Sequence, residues 1–192
     1  MVHGNGAEAK LYATLAEIDE ALAKKVRAAG CCDCGGPLDR ADYERKPRGE
    51  LGEAAEGYRR RRSFCCRACR HRATPPSVRF LGRKVYVAAI VVLASVLGRR
   101  QSLVGHGTPR RVEGVPVRTV RRWLMFWSVT FTLTAFWSEA KSFLAPPVEE
   151  AMLPGSLLAR FGADGGTALT RMLRWIAPIT TESVRAEIAT GV

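Results

Sequence analysis

No apolar run in these 192 residues is long enough to cross a bilayer as a helix. The two candidates, Val85 to Leu97 and Trp123 to Trp137, fall short of the roughly 20 residues that a span requires, and the second carries Ser128, Thr130, Thr132 and Thr134. Both read as buried core elements. The first thirty residues lack an apolar stretch between a basic start and a small-residue cleavage site, so the expected compartment is the cytoplasm. A phosphate-binding glycine loop, a Gly-x-Ser-x-Gly elbow, a His-Glu-x-x-His pair and internal repeats are all missing. No catalytic residue and no enzymatic activity are therefore expected.

Acidic charge is also scarce. Asp and Glu number 18 against 30 Lys and Arg, which leaves a net charge of +12. The imbalance is local. Residues 1 to 39 carry four basic and six acidic groups, residues 40 to 122 carry twenty-one and six, and residues 123 to 192 carry five and six, so the middle alone reaches +15. Such a field attracts polyanions. A small-molecule substrate and a membrane are not expected as partners.

What is present begins with an Ala-rich segment, residues 7 to 28, in which Leu11, Leu15, Ile18, Leu22 and Val26 recur at helical spacing. The stripe predicts a helix that packs within the chain or pairs two copies as a homodimer, with Gly30 as its stop. From Gly30 to Pro76 large aliphatic residues almost vanish, and such a segment needs a covalent or metal staple. Beyond Pro76 the sequence predicts a helix in the run from Val85, a short helix near Pro109 to Glu113, and a long helix from Pro116 toward Leu144. Short helices are predicted at Leu157 to Phe161 and Ala168 to Ile176. These divide the chain into an N-terminal helix (1–30), a small ribbon (31–76), a helical domain (77–145) and a C-terminal helical segment (146–192). The expected fold class is mainly α with a small four-cysteine zinc ribbon and a helix-turn-helix-like domain.

All six cysteines lie in two groups, each with a Cys-x-x-Cys: Cys31 to Cys34 and Cys66 to Cys69. Two such pairs about thirty residues apart have the spacing of a four-cysteine Zn2+ site, in which each pair forms a turn around the metal. The alternatives are Cys65 in place of Cys66, Cys32 in place of Cys31, and His71 in place of a thiolate; by itself His71 reads as solvated. Disulfides need an oxidising compartment, and a redox Cys-x-x-Cys does not explain two pairs. A closed four-thiolate site leaves no position for substrate, so it stabilises what it displays. Here it displays Arg59, Arg60, Arg61 and Arg62 before the second pair, then Arg67, Arg70, Arg72, Arg79, Arg83 and Lys84. These are candidate phosphate contacts.

The segment 114–123 has a glycine turn followed by a helix in which Val117, Val120, Trp123 and Leu124 face inward. Arg118, Arg121 and Arg122 then lie on the other face, where the start of a recognition helix reads base edges in the major groove. The aromatic series Trp127, Phe131, Phe136, Trp137 and Phe143 reads as core.

In CCDCGGPL (31–38), RRRSFCCRACRHRATPPSVRFLGRKVY (60–86) and VPVRTVRRWLMFW (115–127) the chain resembles the N-terminal zinc-ribbon and helix-turn-helix region of bacterial insertion-sequence transposases, and small zinc-finger proteins of mobile elements. That resemblance implies double-stranded DNA as partner and an accessory or regulatory role in transposition. The three carboxylates of a catalytic ribonuclease H-like domain have no counterpart: only Glu139, Glu149, Glu150, Asp164, Glu182 and Glu187 follow residue 127, without strand alternation. The rival expectation is an adaptor that docks a larger transposase or integrase and has little DNA affinity of its own.

Overall fold

The computed structural model describes residues 5–45, 48, 58–82, 84, 86–104 and 115–181. The fold is mainly helical with a small sheet. It divides into two compact units, Met1–Val87 with Leu173–Val192, and Ala88–Met172. The first unit joins the N-terminal helix and the ribbon with the described segment that begins at Leu173.

In the first unit, α1 (Asn5–Ala29) ends at Gly30, whose φ of +77° terminates the helix. Its buried face is centred on Tyr12, Leu15, Asp19 and Ala23, which keeps Leu15 of the aliphatic stripe and otherwise lies one position beyond it. The reason is an acid in the core. Asp19 Oδ2 accepts from Ser77 Oγ at 2.6 Å and from Arg79 Nε at 2.8 Å, and Oδ1 accepts from the Val78 amide at 2.7 Å. The Arg79 guanidinium lies over the rings of Tyr58 and Phe80, and the Tyr58 hydroxyl donates to the Tyr12 carbonyl at 3.1 Å. Ser77 N–H donates to Thr180 Oγ1 at 3.0 Å, which ties in the returning segment. Buried charge is tolerated here because each partner is satisfied.

Strands β1 (Leu38–Arg40), β4 (Phe64–Cys66) and β5 (Arg72–Ala73) form an antiparallel sheet in the order β1-β4-β5, while β2 (Tyr43–Glu44) pairs with β3 (Arg60–Arg61). The register opposes Leu38 to Cys66, Arg40 to Phe64 and Tyr43 to Arg61. The core beneath the sheet is small, namely Ala23, Cys31, Leu38, Phe64 and Cys66, with Val26 and Ala73 against it.

In the second unit, α2 (Ala88–Val104) packs on α3 (Val117–Met125). The helices approach closely because position 98 lacks a side chain: a Cβ there would lie 2.5 Å from Val120 Cγ1. Trp127 Nε1 donates to the buried Ser95 hydroxyl at 3.2 Å. The long helix expected toward Leu144 is interrupted. A π-helical turn (Phe126–Thr130) follows α3, then a break, α4 (Ala135–Ala140) and a 3₁₀ turn (Lys141–Phe143). Hydroxyls compete for the backbone here: Ser128 donates to the Leu124 carbonyl, Thr132 to Val129 and Thr134 to Phe131, and Thr134 then caps α4 through Trp137 N–H. The break lets Trp127, Phe131 and Trp137 all turn inward, with ring centroids 5.1 and 4.9 Å apart in succession. Phe143 does not join them; it is 86% exposed. Helix α5 (Gly155–Leu158) is short, and α6 (Gly165–Ile176) crosses from the second unit into the first.

Candidate metal centre and basic faces

The two Cys-x-x-Cys segments fold into the same turn. In the first, Gly35 N–H donates to the Cys31 carbonyl at 2.8 Å and Cys31 N–H to the Gly36 carbonyl at 3.0 Å. In the second, Arg70 N–H donates to the Cys66 carbonyl at 3.1 Å and Cys66 N–H to the His71 carbonyl at 2.8 Å. Glycine suits position 36 for a different reason than position 35. A Cβ there would sit 3.2 Å from Cys66 Sγ and 3.3 Å from Cys34 Sγ, in the space the sulfurs occupy.

These turns bring Cys31, Cys34, Cys66 and Cys69 together, with all four sulfurs within 4.8 Å of one another. Cys31 Sγ lies 3.5 Å from Cys69 Sγ, and Cys34 Sγ lies 3.5 Å from Cys66 Sγ. Thiolates around one tetrahedral ion, each at about 2.3 Å, would be about 3.8 Å apart, so the donor set fits a single metal ion. The chemistry points the same way. The Cys69 amide aims at Cys66 and, aided by Cys34, draws its thiol down to about 6, whereas Cys69 is pushed up to about 12 despite the His71 amide, because sulfur neighbours crowd it. Four thiolates this close would need a cation among them, which is what this donor set could hold.

Cys65 and Cys32 stay outside the set. Cys65 lies along β4 with its sulfur near the Cys66 and Arg70 carbonyls. Cys32 is exposed beside His71, and that imidazole is paired with Asp33 rather than solvated alone. Asp33 carries no distinguishing sequence signal beyond its place inside the first turn.

The candidate phosphate contacts separate sharply. Arg59, Arg60, Arg67, Arg70 and Arg72 are exposed. Arg61 is corrected: only 3% exposed, it points inward from β3 and donates to the Pro75 carbonyl, so its guanidinium cannot meet a phosphate. Arg79 is likewise committed to Asp19. Arg62 is half-buried between Glu20 and Asp42 at 2.8 and 2.6 Å. Arg67 forks onto Asp39 at 2.8 and 3.1 Å, which lowers that carboxyl's pKa, and Arg72 covers the Tyr43 ring. Four acids, Asp19, Glu20, Asp39 and Asp42, therefore hold three of these arginines. Arg83 lies outside the described residues.

In the second unit Val120 and Trp123 are buried while Arg118, Arg121 and Arg122 are exposed on α3, as the helical spacing predicts. The short helix expected near Pro109 to Glu113 lies outside the described residues. None of the described helices is long and apolar enough to cross a membrane. No family model, no curated protein and no solved structure matches this chain.

Proposed function

We propose that the protein is a non-enzymatic, zinc-dependent DNA-binding protein, with Zn2+ held by Cys31, Cys34, Cys66 and Cys69. It takes double-stranded DNA against two basic faces. The observation that carries this reading is the placement of charge: Arg59, Arg60, Arg70 and Arg72 are exposed around the four-cysteine turns, and Arg118, Arg121 and Arg122 occupy the outer face of α3. Bound zinc supplies folding free energy to a segment with little core, and a closed four-thiolate set leaves no open position for substrate. The exposed arginines supply phosphate contacts, and the start of α3 is the element suited to a groove, as the second helix of a helix-turn-helix. Together with the resemblance to the N-terminal region of insertion-sequence transposases, this supports an accessory or regulatory role in transposition.

The test is fluorescence-anisotropy binding of the zinc-loaded protein to a random duplex across salt concentrations. A linear fall of log affinity with log salt, with a slope reflecting several phosphates, is expected. Salt-independent or absent binding overturns the reading. An adaptor docking a larger transposase or integrase is the second reading, and one observation favours it: Met125, Val129 and Leu133, which follow the arginines of α3, are 62%, 45% and 80% exposed. Stable co-purification with such a partner, combined with negligible DNA affinity, would select it.

A further inference from the structure

Beside the four-sulfur cluster, a second group of donors has been assembled from residues that the first group leaves over. Cys32 and Asp33 are the two residues inside the first Cys-x-x-Cys turn, and His71 follows Arg70 at the end of the second. Asp33 Oδ2 lies 2.7 Å from His71 Nδ1. This bond orients the imidazole and leaves Nε2 facing Cys32 Sγ at 3.7 Å, while Asp33 Oδ1 lies 3.6 Å from the same sulfur. One donor atom from each of the three residues falls within 4.8 Å of the others.

We propose that Cys32, His71 and Asp33 form a second, exchangeable site for a divalent transition-metal ion. Sulfur at about 2.3 Å and imidazole nitrogen at about 2.0 Å from one tetrahedral ion would be about 3.5 Å apart, close to the 3.7 Å found. A carboxylate on the remote imidazole nitrogen is the arrangement that fixes the tautomer of a metal-bound histidine. Borderline-soft ions such as Zn2+ and Co2+ suit this sulfur and nitrogen pair. Cys32 Sγ and His71 Nε2 are the protein ligands, Asp33 holds the imidazole from its other nitrogen, Cys32 gives up its thiol proton to solvent on binding, and the remaining positions are left to water.

The site rests on the reading of the four cysteines as a metal centre, because that centre holds its parts together. The His71 carbonyl is the acceptor for Cys66 N–H in the second turn, and Cys32 and Asp33 lie within the turn closed by Gly35 N–H. Loading is therefore ordered. The closed site fills first, and the exposed one follows with weaker affinity and faster exchange.

The experiment uses the full chain under reducing conditions, loaded with one equivalent of Zn2+ and then titrated with Co2+. Cobalt does not displace zinc readily from a four-thiolate site, since zinc binds the more tightly. The expected result is one Co2+ per chain with a near-ultraviolet sulfur-to-cobalt band of single-thiolate intensity. Cys32→Ser abolishes the band, His71→Ala weakens Co2+ binding by at least about tenfold, and Asp33→Asn weakens it by about tenfold. Cys65→Ser leaves the band unchanged. All four variants retain their one zinc and a Tm near that of the parent. Saturation of the parent at one metal per chain overturns the proposal, as does a cobalt band that survives Cys32→Ser. Failure to hold even the first zinc overturns the four-cysteine reading and this one with it, and is distinguished by the missing first equivalent.

Discussion

Gly35 and Arg70 hold the same backbone conformation, φ +69° and +64°, each one residue past the second cysteine of its Cys-x-x-Cys turn. The turns are equivalent in hydrogen bonding, yet only one has the residue for which a left-handed conformation costs nothing.

The strain at Arg70 is removable. An L-residue with a Cβ gives up about 1 kcal/mol or more in that region. Arg70→Gly should therefore raise the unfolding free energy of the zinc-saturated protein by about 1 kcal/mol, read as a higher denaturation midpoint, while weakening its binding to DNA. Arg70→Val should destabilise. A lower midpoint for Arg70→Gly contradicts the equivalence of the two turns.

Metal uptake must displace protons. Cys66, drawn down to about 6 by the Cys69 amide and its neighbours, is already largely a thiolate at neutral pH, but the proton on Cys69 is held to about 12. Since protons and metal compete for the same sulfurs, Zn2+ affinity rises with pH, by about tenfold per unit for each proton displaced, and the stability that zinc confers is lost on acidification. Between pH 8 and pH 5 the Tm of the zinc-loaded protein should fall steeply, and excess chelator at pH 7 should reproduce that fall. Cys34→Ser should respond to neither. A zinc-loaded Tm indifferent to both acid and chelator would refute a metal at these four sulfurs.

The crossing of α2 over α3 makes Gly98 and Val120 a coupled pair. Gly98→Ala places a methyl group 2.5 Å from Val120 Cγ1, and such overpacking costs about 1–3 kcal/mol. Val120→Ala opens the space it needs. The double variant should be more stable than the sum of the single losses, and strict additivity in urea denaturation would argue against this contact.

Asp19 is the acid on which α1, the segment from Ser77 to Arg79 and the chain's return all depend. Asp19→Ala leaves the Arg79 guanidinium buried without its carboxylate and should cost about 3–5 kcal/mol. A loss below about 1 kcal/mol by chemical denaturation would show that the network contributes little.

Adjacent arginines on β3 should behave oppositely. Arg60→Ala is expected to weaken binding to every duplex alike and to reduce the salt slope by about 1. Arg61→Ala, which removes a buried guanidinium, should reduce stability and leave the salt slope of the folded protein unchanged. Arg121→Ala on α3 should lower preference among sequences by more than it lowers affinity for random DNA. Equal losses on specific and random duplexes for Arg60→Ala and Arg121→Ala would remove this division of labour.

Several features were legible in the chain because they are local. The Cys-x-x-Cys spacing dictates a turn whatever surrounds it, and Gly35 and Gly36 mark how that turn closes. The periodicity of residues 7 to 28 specifies a helix, and the alternation of Arg118, Val120, Arg121, Arg122 and Trp123 specifies which face of α3 is charged. Tertiary structure decided the rest. Four consecutive arginines look alike in sequence, but pairing Tyr43 with Arg61 turns one of them inward and its neighbour Arg60 outward. Asp19 looks like one more polar residue on an amphipathic helix until residues 77 to 79 reach it from sixty positions away. Asp33 and His71 meet only when the two turns share a centre. Covalent spacing sets what neighbours along the chain can do, whereas register and long-range packing choose which side chains meet, and no local pattern carries that choice.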